Sequence, residues 1–217
     1  MSGPLLSAPG TPIRLILARH GQTPANVDHV LDTLPPGPGL TDLGRRQAAE
    51  LADRLAGEKV VSVHASRALR AQQTAAPLAR RHGLSVEVAD GTHEIYVGEL
   101  EKRGDPDALR TFDEVYAEWH AGRLDRPMPG GETGRQAVDR FVGSARRVLD
   151  DGLTSGAVVL VSHGAMLRLV AVRLAANITA DEAERVHLPN TGLIVLEPDP
   201  DTATGWRCSQ WDGLDPN

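Results

Sequence analysis

Two histidines stand in the same local setting. Arg14-Leu15-Ile16-Leu17-Ala18-Arg19-His20-Gly21 and Val158-Val159-Leu160-Val161-Ser162-His163-Gly164 each run from an apolar stretch into a histidine and then a glycine. Short apolar runs closed by turn residues read as buried strands. Each strand therefore delivers an imidazole to its C-terminal end. In an open α/β sheet that edge is where ligands bind. Imidazole is a nucleophile, a proton carrier near neutral pH and a metal ligand. The pair alone does not choose between metal binding and covalent chemistry. Neither histidine has His-x-x-x-His or His-x-Asp spacing, and no Gly-x-Ser-x-Gly elbow is present. Both absences weigh against a zinc hydrolase or a serine hydrolase.

The elements that must position these residues follow from periodicity. Ile13 to Ala18, Val60 to Ala65, Leu84 to Val88 and Ala157 to Ser162 read as strands, with Thr191 to Glu197 and Trp206 to Trp211 closing the sheet. Thr41 to Leu55 reads as an amphipathic helix, capped by Thr41, with Leu43, Ala48, Leu51 and Leu55 on one face. Ser66 is expected to cap a helix over Arg67 to Ala76 that Pro77 kinks or ends. Ala165 to Ala175 returns to helix. Strands alternating with helices predict a three-layer α/β/α sandwich with a mostly parallel central sheet. Ile95 to Glu132 breaks the alternation. It holds a helix from Pro106 to Ala121, capped by Asp105, and reads as an insertion over the sheet edge, capping the substrate side.

Composition narrows the class. The 217 residues, 41% of them hydrophobic, suffice for one core, so a single domain over residues 1–217 is expected. A net charge of -6 argues against a nucleic-acid or membrane-surface partner. Cys208 is the only cysteine, which excludes an intrachain disulfide and fits a reducing compartment. Met1 to Thr11 has no basic segment followed by an apolar one, so no signal peptide is read there. The expected location is cytoplasmic.

Arg19-His20-Gly21-Gln22-Thr23, with Asn26 shortly after, resembles the signature of the histidine phosphatase superfamily, also called the phosphoglycerate mutase-like family. Further matches follow in the family's order. Ser66-x-x-x-Arg70-Ala71-x-Gln73-Thr74-Ala75 resembles its Ser-x-x-x-Arg-Ala-x-Gln-Thr-Ala helix start. Glu94 falls where the family carries its acid, Gly130-Gly131-Glu132-Thr133 resembles its Gly-Gly-Glu-Ser turn, and Ser162-His163-Gly164 holds its second histidine. Asn190-Thr191-Gly192 resembles its late Asn-x-Gly. The resemblance spans Ile13 to Leu196.

That resemblance implies a phosphoryl-transfer site. His20 is then the nucleophile and Glu94 the acid and base at the leaving oxygen. Arg19, Arg70 and His163 hold the phosphate, His163 as a donor if it is protonated. Gln22, Thr23, Asn26 and Gly164 are expected to contact phosphate or brace its turns. A phosphomonoester carries nearly two negative charges, and guanidinium forks match its oxygens. Side chains supply this charge, so no metal and no cofactor is expected. Arg67 is expected to be a solvated arginine. His29, His64, His82, His120 and His187 are given no role, Tyr116 and Trp119 are read as packing, and His93, Glu99 and Glu101 are left unassigned.

The residues after Glu94 separate subgroups. The family's mutases carry a longer insertion with Tyr-Gly and Asn-Lys pairs; here Tyr96 and Gly98 are not adjacent and Lys102 has no preceding Asn. The small phosphatases often carry Trp-Glu-Gly, where this chain has Leu100-Glu101-Lys102. The expected function is a metal-independent phosphomonoesterase working through a phosphohistidine on a small metabolite. A cofactor-dependent phosphoglycerate mutase and a non-catalytic phosphate-binding module are the alternatives. The identity of the substrate and the oligomeric state, including a homodimer, are left open.

Overall fold

In a computed structural model, residues 13–150 and 155–214 are described. The signal-peptide reading of Met1 to Thr11 lies outside them. Six strands form one sheet in the order β3-β2-β4-β1-β5-β6. They are β1 (Ile13–Arg19), β2 (Val60–Ala65), β3 (Val86–Val88), β4 (Gly156–Ser162), β5 (Leu193–Pro198) and β6 (Trp206–Trp211). The first four are mutually parallel; β5 runs antiparallel to β1, and β6 antiparallel to β5.

Alternate residues of the central strands feed two cores, as a period of two requires. Leu15, Leu17, Val158 and Leu160 face one side. Ile16, Ala18, Val159 and Val161 face the other. Helices α2 (Asp42–Arg54) and α3 (Leu69–Arg81) cover the second side through Leu51, Ala71, Ala75 and Leu78. The first side is covered by α4 (Pro106–His120), α5 (Gly134–Leu149) and α6 (Gly164–Leu174). Two shorter helices, α1 (Pro24–Val27) and α7 (Ala180–Arg185), complete the chain. The predicted three layers are therefore present. Ile95, Val97, Tyr116, Trp119 and Met128, all from the insertion, share the core of Leu15 and Leu160. Among the described residues no helix is long and apolar enough to cross a membrane.

Several local expectations are corrected. Pro77 neither ends nor bounds α3, which continues to Arg81. The four residues beyond Pro77 include Leu78 and Ala79, both buried, and their packing offsets the lost backbone bond. Ser66 does not cap that helix directly; the N-cap is Ala68, whose amide donates to Ser66 Oγ. Leu43 points to solvent, 41% exposed, while Ala48, Leu51 and Leu55 are buried. At the second position of α2 it lies off the stripe that meets α3. Helices α5 and α7 have no counterpart among the expected elements.

Candidate active site

The central pair of strands sets the site. In the β1–β4 register Arg19 faces Ser162, and the His20 amide donates to the Ser162 carbonyl at 3.0 Å. The ladder therefore runs one residue past β1, and the two histidines leave the sheet side by side. Their ring centroids are 5.1 Å apart, edge to face.

His20 is 4% exposed. Its Nδ1–H donates to the Gly21 carbonyl at 2.7 Å, which leaves the lone pair on Nε2. The Nε–H of Arg70 donates to that Nε2 at 3.3 Å. Burial first, then the charges of Arg70 and Arg19, hold the imidazole pKa well below its ordinary value. The ring is neutral at physiological pH. The loop beyond it lies against α2: a Cβ on Gly21 would stand 2.7 Å from the Gly44 carbonyl oxygen. Glycine is required there by close backbone approach.

Two guanidinium groups flank the ring. Arg70, 2% exposed, is the second residue of α3; its Nη2 donates to the Asp32 carbonyl at 3.1 Å and its Nη1 has no protein partner. Arg19 donates from Nη1 to the Leu188 carbonyl at 2.6 Å, and its buried Nε is unpartnered. A Cβ on Gly164 would come within 3.0 Å of that Nε, so the glycine makes room for the guanidinium. Burial lowers the pKa of both arginines, with Glu94 opposing the shift in each. Buried donors without acceptors are rare in native proteins. Here both belong to arginines that line the same cleft as His20.

Glu94 sits at the N-terminus of α6. Its Oε1 accepts from the Ile95 and Met166 amides at 2.9 Å each, and its Oε2 from the Ala165 amide at 3.3 Å. These residues border one cleft of about 190 Å³. Its lining combines polar residues, among them Arg19, His20, Thr23, Asn26, Arg70 and Glu94, with apolar ones, among them Val30, Leu31 and Phe112.

The remaining expected residues take different places. Thr23 and Asn26 line the cleft but spend their side chains on a reciprocal cap of α1, and Asn190 ties Asn26 to the His20 carbonyl. Gln22 does not line the cleft; its side chain accepts from the Thr41 hydroxyl at the start of α2. His163 is fully buried behind the cleft wall, its Nε2 2.7 Å from Ser66 Oγ. Burial and then Arg70 push its pKa well below the ordinary value, so the imidazole is neutral in the free protein. The charged donor expected there is thus not the resting form. Arg67 pairs with Asp90 at the surface, as expected.

Glu101 accepts from the Thr33 amide and hydroxyl, pinning the loop whose Asp32 carbonyl holds Arg70. Glu99 is exposed. His93 is half-buried and offers its carbonyl to Arg140.

Sequence reading missed three contributors. Arg140, on α5, donates to the carbonyls of Gly91, His93 and Glu94 and pairs with Glu132. Glu132 also accepts from the Tyr96 amide at 2.8 Å. The matched Gly-Gly-Glu turn therefore braces the acid-bearing loop. His187 lines the cleft with its Nε2 3.2 Å from Arg19 Nη1. Phe112 lines it too, whereas Tyr116 and Trp119 are core residues as expected. A Thr133-x-x-Gln136 capping box ahead of apolar residues at helical spacing marks α5, and with it Arg140. Among the described residues no three His, Cys, Asp or Glu side chains are grouped to hold a metal ion.

A mostly parallel sheet that brings two histidines, two arginines and a carboxylate to one edge defines a phosphoglycerate mutase-like α/β protein. The family model of the histidine phosphatase superfamily (branch 1) matches residues 15–212, and the chain belongs to that superfamily. It is 32% identical over 220 residues to PE-PGRS family protein PE_PGRS11 of Mycobacterium tuberculosis, covering 94% of this chain and 37% of that one. It is 32% identical over 166 residues to the adenosylcobalamin/alpha-ribazole phosphatase of Escherichia coli, covering 75% and 79%. Among solved structures, mycobacterial glucosyl-3-phosphoglycerate phosphatase Rv2419c, in complex with VO3, shares the fold. It superposes with a TM-score of 0.78 at 24% identity, covering 93% of this chain and 99% of that one. The chain spans between 37% and 54% of the length of the first several curated relatives it matches.

Proposed function

We propose that the protein is a metal-independent phosphomonoesterase acting on a compact phosphorylated metabolite through a phosphohistidine at His20. One observation carries this reading. The Nδ1 proton of His20 is committed to the Gly21 carbonyl, so the lone pair stands on Nε2, facing the Nε–H of Arg70, and the Nη1 of Arg70 and the Nε of Arg19 have no protein acceptor. A neutral imidazole with a fixed tautomer is a competent nucleophile. Unpaired donors around it stabilise charge on the transferred group at no reorganisation cost.

In the first half-reaction Nε2 bonds to phosphorus as the ester P–O bond breaks, and the leaving oxygen takes a proton from the Glu94 carboxyl. In the second, a water loses its proton to Glu94 and attacks phosphorus, breaking the P–N bond. Phosphate leaves and His20 is regenerated. The apolar lining residues, including Leu31 and Phe112, receive the leaving group. A cleft of about 190 Å³ favours a compact one.

The test is a panel of phosphorylated metabolites and an aryl phosphate, assayed in excess EDTA with His20→Ala as control. The reading expects EDTA-resistant hydrolysis that His20→Ala abolishes. Phosphate binding without turnover on any ester overturns it in favour of a binding module. Phosphoglycerate interconversion that needs a bisphosphoglycerate primer overturns it in favour of a mutase.

A further inference from the structure

We propose that Ser66 is a positioning residue that locks His163 in the neutral tautomer protonated on Nδ1, making it an uncharged hydrogen-bond donor to the transferred phosphoryl group. The second half of this statement rests on the proposed phosphatase reading; the tautomer itself does not.

Proton accounting carries the argument. Ser66 and His163 are both fully buried. Ser66 Oγ has two polar partners, the Ala68 amide at 3.3 Å and His163 Nε2 at 2.7 Å. The amide can only donate, so it uses a lone pair of the hydroxyl. The single hydroxyl proton then has one acceptor in reach, Nε2. A neutral imidazole that accepts on Nε2 carries its proton on Nδ1. The opposite assignment, Nε2–H donating to Oγ, strands the hydroxyl proton in the interior, which native structures avoid.

The Nδ1–H so defined is buried and has no protein partner. Its ring stands edge to face against His20, the proposed phosphoryl acceptor. It therefore joins Arg19 Nε and Arg70 Nη1 as an unspent donor. Being uncharged, it adds a hydrogen bond without a further positive charge beside Arg70. Backbone bonds make the device rigid. The Ser66 amide donates to the Val161 carbonyl at 3.0 Å, so Ser66 rides on the same sheet edge as His163.

The experiment is nitrogen NMR of the imidazole rings in 15N-histidine-labelled protein at pH 7.5 without phosphate. The His163 signals are assigned by their absence in His163→Asn. The expected result is a protonated Nδ1 and an unprotonated Nε2, with the Nδ1–H resonance moving when vanadate is added. In Ser66→Ala we expect a mixture of both tautomers and at least a tenfold loss of kcat/KM, with an amide spectrum matching the wild type elsewhere. A wild-type His163 protonated on Nε2 overturns the proposal without any variant. A pure Nδ1–H tautomer in Ser66→Ala overturns the role of Ser66. An Nδ1–H signal indifferent to vanadate overturns its contact with the phosphoryl group. Loss of the phosphatase reading shows separately, as absent turnover with the tautomer intact.

Discussion

Replacing Arg140 by methionine should damage stability and catalysis together. Its guanidinium reaches the Gly91, His93 and Glu94 carbonyls and both carboxylate oxygens of Glu132, at 2.6 to 2.9 Å. The pair is mostly buried, with side-chain exposures of 18% and 11%. Removing one partner of a buried pair costs about 3–5 kcal/mol, because the other charge is stranded. Residual solvent contact places the expected loss near the lower end, about 3 kcal/mol. With a urea slope of up to about 3 kcal/mol/M, the midpoint should fall by roughly 1 M. Arg140→Met combined with Glu132→Leu strands neither charge, so it should cost less than the sum of the single changes. In the variant's folded state the acid-bearing loop loses three carbonyl anchors. We expect kcat/KM to fall about tenfold or more, equivalent to at least about 1.4 kcal/mol of transition-state stabilisation. Urea titration and steady-state kinetics on an aryl phosphate measure both. A midpoint shift below a third of that expected, or strict additivity in the double variant, refutes the bracing role.

Other outcomes are equally specific. Glu94→Gln should slow alkyl phosphates far more than aryl phosphates, because a good leaving group needs little protonation; equal slowing of both removes Glu94 from the acid role. Burial lowers the pKa of His120 to about 4, against an ordinary value near 6.5. The unfolded chain binds the proton first, so this contribution is whole above pH 6.5 and is lost as pH falls toward 4, about 3 kcal/mol in all. His120→Phe should flatten the fall in urea midpoint between pH 7 and pH 4.5, and an unchanged profile contradicts the assignment. Vanadate at about 100 times its dissociation constant should stabilise the fold by about 2.7 kcal/mol, and Arg70→Met should abolish most of that thermal shift.

Much of this architecture is legible in the chain because strand and site signals coincide. Apolar runs ending in His20 and His163 locate the two central strands, and alternation of strands and helices yields the three layers. Pro77 misleads because propensity is local, whereas Leu78 and Ala79 beyond it are anchored by tertiary burial. Leu43 misleads because helical periodicity gives a face but not its edges. The charge state of His163 is invisible in sequence: it depends on burial, on Arg70 and on a hydroxyl 97 residues away. Arg140 belongs to none of the matched motifs, and only the capping box at Thr133 betrays the helix that carries it.

The one-residue extension of the β1–β4 ladder at His20 has a consequence for cooperativity. The spacing of the two imidazoles is held by backbone hydrogen bonds between the innermost strands, not by side chains at the rim. Fraying of loops or of the outer strand β3 leaves that spacing untouched. His20 and His163 therefore belong to the last unit of the molecule to open. The His20 amide should exchange its hydrogen only through global unfolding, and no partly unfolded form should keep one histidine in place without the other.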